Sequence, residues 1–136
     1  MTFTTASEAE TIALGRRIAS RLPERAVVLL IGNLGAGKTT LAKGIVDGLG
    51  VASPDEVSSP TFTLIHEYGG GRVYHVDLYR LEEEREVATL GLEELFDREA
   101  VVLIEWGERF AKLMPEDRIE IRLRAGEEDT REIEIS

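Results

Sequence analysis

The chain has 136 residues, 43% of them hydrophobic and 31% charged, which is the size and make-up of one soluble globular domain over residues 1–136. Sixteen basic residues stand against 26 acidic ones, a net charge of −10 that disfavours extensive direct contact with DNA or RNA, since such contact rests on neutralising phosphates. The chain has no cysteine, which excludes disulfides and thiolate metal sites, and the absence of a basic, apolar leader or an 18-residue apolar run points to a cytoplasmic protein with no membrane partner.

Ser7-Glu8-Ala9-Glu10 has the form of a capping box, and Leu14, Ile18 and Leu22 share one face of the helix that follows, which Pro23 ends. Ala26 to Ile31 is a continuous apolar run suited to a strand buried on both faces. After a glycine-rich turn, Leu41, Ala42, Ile45, Val46 and Leu49 recur at helical spacing, with Gly50 placed to cap the end. Ser53 to Pro60 is loop. Phe62 to Tyr68 and Arg72 to Tyr79 form a predicted hairpin about Gly69-Gly70-Gly71. Leu81 to Phe96 is acidic and helical, interrupted near Gly91. Val101 to Ile104 is a second buried strand, ending at Glu105, and Gly107 to Leu113 a short helix. Ile119 to Leu123 and Glu132 to Ile135 close the chain as an antiparallel hairpin. Buried and alternating strands interleaved with helices predict an α/β fold: a three-layer sandwich with a mixed sheet and added antiparallel hairpins.

The turn between the first apolar strand and its helix reads Gly32-Asn33-Leu34-Gly35-Ala36-Gly37-Lys38-Thr39 and fits G-x-x-x-x-G-K-[ST]. In this pattern glycines let successive amides face phosphate oxygens, and the helix start adds a partial positive charge. Lys38 is placed to reach the β- and γ-phosphates, and the Thr39 hydroxyl to ligate Mg²⁺. The expected ligand is ATP. Such a site takes a carboxylate from the end of a neighbouring strand, and two are available: Glu105 after Val101 to Ile104, and Asp77 in Val73 to Asp77. His75, Asp77 and Tyr79 share one strand face, the pattern of a site edge, of an exposed hairpin face, or of a histidine satisfied by a neighbour. Thr61, in Ser58-Ser59-Pro60-Thr61-Phe62, is the candidate for a hydroxyl that senses γ-phosphate.

Asn33 to Thr40, Ser59-Pro60-Thr61-Phe62, His75-Val76-Asp77-Leu78-Tyr79-Arg80 and Ile104-Glu105-Trp106 together resemble the bacterial TsaE (YjeE) family, in order and spacing, over about residues 7 to 135. The resemblance implies a Mg²⁺-dependent ATPase, weak alone, that works with the TsaB–TsaD pair in forming threonylcarbamoyladenosine in tRNA. The TsaE-like subunit resets that machine, so it meets tRNA only indirectly. Thr39 and Glu105 would hold Mg²⁺. Lys38 and the amides of Gly35, Ala36, Gly37, Thr39 and Thr40 would hold phosphates. Lys38, Asp77 and Thr61 would serve catalysis, Asp77 by orienting water and Thr61 as the switch. Trp106 would lie beside the nucleotide, and Thr11 and Arg131 near its base. The family often carries Asp where this chain has Asn33, a variable position of the loop.

A small-molecule kinase would share the loop, but it needs an acceptor pocket and an arginine-bearing lid, for which Arg109 and Arg118 are the available residues. A GTPase-type switch would need an Asn-Lys-x-Asp motif, and the one asparagine, Asn33, lies inside the loop itself.

Overall fold

The computed structural model describes all residues, Met1 to Ser136. Seven strands form one sheet: β1 (Thr2–Thr5), β2 (Ala26–Ile31), β3 (Ile65–Tyr68), β4 (Val73–Asp77), β5 (Val101–Glu105), β6 (Ile119–Ala125) and β7 (Arg131–Ile135). Their order across the sheet is β1-β7-β6-β2-β5-β4-β3. The four central strands, β6, β2, β5 and β4, run parallel, and β3, β7 and β1 join as antiparallel additions. The two predicted hairpins are present, and each gives one strand to the parallel centre.

Alternation along the buried strands divides the core in two. Val28, Leu30, Val101 and Leu103 point to a cluster with Leu14 and Ile18 of α1 (Glu8–Ala19) and Leu41, Ile45 and Val46 of α2 (Lys38–Gly48). Val27, Leu29, Val102 and Ile104 point the other way, to Val87 of α3 (Glu84–Ala88), Leu92 and Leu95 of α4 (Leu92–Phe96), and Phe110 and Met114. The result is the expected three-layer α/β arrangement. No helix is long and apolar enough to cross a membrane.

The Ser7 hydroxyl accepts from the Glu10 amide, and the Glu10 carboxylate accepts from the Ala6 amide, one residue before the predicted partner. Several elements differ from expectation at their ends or in kind. Helix α1 stops at Ala19, and Arg21 and Leu22 continue it only by tighter bonds to the carbonyls of Ile18 and Ala19. Strand β3 starts at Ile65, because residues 60–64 form a turn closed by the Leu64 amide on the Pro60 carbonyl. The segment Gly107–Leu113 is a 3₁₀ coil kinked at Phe110. Strand β1 was not foreseen.

Helices α1 and α2 lie backbone to backbone. A Cβ placed on Gly15 would sit 2.6 Å from the Leu41 carbonyl oxygen, and one on Gly48 would sit 2.7 Å from Ala19 Cβ. Glycine in a helix interior costs about 1 kcal/mol relative to alanine. Here it permits an approach that brings the start of α1 beside the loop leading into α2.

Candidate functional site

The parallel register sets Asp77 opposite Glu105, and the glycine-rich loop leaves the C-terminal end of β2 next to β5. Ligands of open α/β sheets bind at these strand ends. A cleft of about 250 Å³ opens there, lined by Gly35, Gly37, Lys38, Thr39, Thr40, Thr61, Asp77, Glu105, Trp106 and Arg131, with Leu34, Ser59 and Tyr79. Ten of the twelve predicted site residues therefore share one wall. The other two lie beside it. Ala36 is buried under the loop, its amide on the Asn33 carbonyl. Thr11 lines an adjoining recess with Gly37, Thr40 and Arg131. Its hydroxyl is engaged with Thr5 at 2.7 Å and with the Ser7 carbonyl, so it borders the recess without offering a free donor.

Gly37 adopts φ +101°, a conformation closed to most side chains, and it hands the chain directly into α2 at Lys38. Lys38 is only 5% exposed, and its ammonium has no hydrogen-bond partner. The nitrogen lies 3.7 Å from the centre of the Trp106 ring, a cation–π seat. Trp106 reaches that place from a left-handed turn, φ +67°, rare for a non-glycine residue. Burial pulls the Lys38 pKa down from its ordinary value, against the opposing pull of Glu105, Glu108 and Asp77. A buried, unpartnered ammonium amid helix-start amides is suited to an anion.

The two carboxylates are held differently. Glu105 Oε2 accepts from the Thr39 hydroxyl at 3.1 Å and lies 2.6 Å from His75 Nε2. Asp77 Oδ2 accepts from the hydroxyls of Thr61 at 2.8 Å and Ser59 at 3.1 Å, while Oδ1 accepts from the Tyr79 amide at 2.9 Å. Strand β4 is buried along its whole length, which removes the exposed hairpin face: Asp77 lines the cleft, while His75 lies behind it with Nε2 satisfied by its neighbour Glu105. Arg131 spans the cleft mouth, donating to the Gly35 carbonyl at 3.2 Å. Neither lid candidate lines the cleft: Arg109 donates to the carbonyls of Tyr79 and Leu81, and Arg118 to Glu120 and the Pro115 carbonyl.

Sequence reasoning named Ser59 and Tyr79 only as neighbours of candidates. Tyr79 follows Asp77 by the strand period, which carried its signal, whereas Ser59 lies in the loop before Thr61, where no strand period applies. The link from His75 to Glu105 needs the pairing of β4 with β5, which no local pattern gives.

The family model of the threonylcarbamoyl adenosine biosynthesis protein TsaE matches residues 5–133. The chain belongs to the TsaE family. Among TsaE relatives, the tRNA threonylcarbamoyladenosine biosynthesis protein of Bacillus subtilis is 41% identical over 95% of this chain and 80% of its own length. The one from Nostoc is 43% identical, covering 96% of this chain and 82% of that protein. The crystal structure of YdiB from Bacillus subtilis superposes with a TM-score of 0.78 at 34% identity, over 98% of this chain and 82% of that one. The TsaE match spans both strand-end carboxylates and the whole glycine-rich loop.

Proposed function

We propose that the chain is a Mg²⁺-dependent ATPase serving threonylcarbamoyladenosine biosynthesis, acting with TsaB and TsaD and reaching tRNA only through them. The observation that carries this reading is the buried, unpartnered Lys38 ammonium, set between a glycine-rich helix start and two strand-end carboxylates.

In this reading the amides of Gly35 and of Gly37 to Thr40, with the Lys38 ammonium, bind the phosphates of ATP, the Ala36 amide being held on the Asn33 carbonyl, and Lys38 leaves the Trp106 ring for the β- and γ-phosphate oxygens. Thr39 and Glu105 offer a hydroxyl and a carboxylate, hard oxygen donors of the kind Mg²⁺ takes, and they stand within hydrogen-bond distance of each other. No three His, Cys, Asp or Glu side chains converge at one point, here or elsewhere, so the protein would supply only part of a cation's shell and leave the remainder to phosphate and water. Mg²⁺ held there would neutralise charge on the phosphates. Asp77 orients the attacking water. Water adds to the γ-phosphorus, the bond to the β–γ bridging oxygen breaks, ADP and phosphate leave, and the water proton passes to solvent or phosphate. Thr61 turns from Asp77 toward the γ-phosphate when that group is present. Arg131 and Thr11 border the recess offered to the base.

The test is reconstitution. ATP hydrolysis is measured for the chain alone and with the TsaB–TsaD pair, and threonylcarbamoyladenosine on tRNA is assayed with and without the chain. The expected result is slow hydrolysis alone, a changed rate with the pair, and more modified tRNA per TsaD. No change in either readout would overturn the proposal.

A further inference from the structure

Three buried side-chain atoms have no hydrogen-bond partner: Lys38 Nζ, His75 Nδ1 and Glu108 Oε1. The first belongs to the cleft. His75 does not line the cleft, yet it touches Glu105, which does.

The histidine has no accessible surface and stands in a strand that is otherwise apolar up to Asp77: Val73, Tyr74 and Val76 flank it. Burying an imidazole there costs free energy unless its polar atoms are paired. A histidine retained for stability alone would be expected to satisfy both nitrogens. This one satisfies only Nε2, 2.6 Å from Glu105 Oε2. A carboxylate only accepts, so Nε2 donates, and with no acceptor at Nδ1 the hydrogen-bond pattern assigns the proton to Nε2. The Thr39 hydroxyl donates to the same Oε2 at 3.1 Å. Two donors thus fix one carboxylate oxygen, and Oε1 is left without a protein partner.

We infer that His75 is a positioning residue: it holds Glu105 Oε2 so that Oε1 is presented to the Mg²⁺ of the nucleotide. The inference rests on the proposed metal role of Glu105. Once Thr39 turns its hydroxyl oxygen to the cation, His75 is the donor that remains on Oε2. Partners of this outer kind orient a ligand, and their loss lowers metal affinity by about 10- to 100-fold.

Calorimetry with the β,γ-imido analogue of ATP, across a Mg²⁺ titration and in EDTA, tests this without turnover. His75→Leu keeps the volume and removes the donor. The Mg²⁺ concentration at half-saturation should rise about 10- to 100-fold, with analogue affinity in EDTA unchanged. In His75→Gln the amide N–H reaches to where Nε2 stands, and this variant should stay within about threefold of wild type. His75→Asn is polar but too short to reach Glu105, so it should behave as His75→Leu does and replaces it if the leucine variant fails to fold. Wild-type Mg²⁺ dependence in a folded His75→Leu or His75→Asn protein, with Glu105→Gln displaced, overturns the positioning role and leaves Glu105 as metal ligand. An unchanged Mg²⁺ dependence in Glu105→Gln overturns both.

Discussion

Lys38 and Asp77 line one cleft and are held differently in it. The Lys38 ammonium is buried, desolvated and without a hydrogen bond, so its environment favours the arrival of phosphate oxygens. Lys38→Ala is expected to abolish hydrolysis and to weaken ATP binding by at least about tenfold, as calorimetry would report. Asp77 is engaged by Thr61, Ser59 and the Tyr79 amide, all of them protein donors, and it lies outside the glycine-rich loop. Asp77→Asn should therefore lower the rate of hydrolysis by about 100-fold while the ATP Kd stays within about threefold. Loss of ATP binding in that variant would refute a water-orienting role. Much of this site was legible from residues 32–39 and from two strand-end acids, because motif spacing carries local geometry. The pairings Thr61–Asp77 and His75–Glu105 were not, since each joins segments whose meeting depends on the sheet register.

At the scale of elements, apolar runs that must be buried on both faces announced β2 and β5, and the glycines at 69–71, all with positive φ, announced the turn between β3 and β4. Thr2–Thr5 offers no such run. It becomes a strand only because the antiparallel edge of β7 is there to pair with it, which is a tertiary cause. The glycines of α1 and α2 carried a message that helix propensity hides. By helix propensity alone Gly15, Gly44 and Gly48 would weaken their helices, but in the fold each is where one helix backbone meets the other. A methyl at Gly44 would run into the Ile12 carbonyl oxygen, backbone that cannot yield without moving α1. Gly44→Ala is expected to destabilise the fold by roughly 3 kcal/mol, against the gain of about 1 kcal/mol that helix propensity alone would give. Thermal unfolding decides between them: a fall in Tm of roughly 10 °C supports close packing, and a rise would show that the helices separate freely.

For the molecule as a whole, the decisive quantity is charge. With 16 basic and 26 acidic residues, the chain opposes a polyanion before any contact is made. The arrangement reinforces the total. Glu82, Glu83, Glu84, Glu86, Glu93 and Glu94 are all exposed along α3, α4 and the chain just before them. Several arginines already face acids: Arg16 with Asp47, Arg25 with Asp97, Arg118 and Arg122 with Glu120, and Arg124 with Glu132. Each surface pair is worth little to stability, yet each must be given up before its arginine can serve a phosphate. The cleft's buried cation is the single Lys38 beside a space of about 250 Å³, which is room for a nucleotide tail and not for an RNA backbone. On the proposed function, the chain would reach tRNA through partners. Alone at about 0.15 M salt, it should bind labelled tRNA more weakly than about 100 μM by fluorescence anisotropy. Tighter binding whose logarithm falls steeply with that of salt concentration would reveal a basic surface on the chain itself, and the indirect route to tRNA would be wrong.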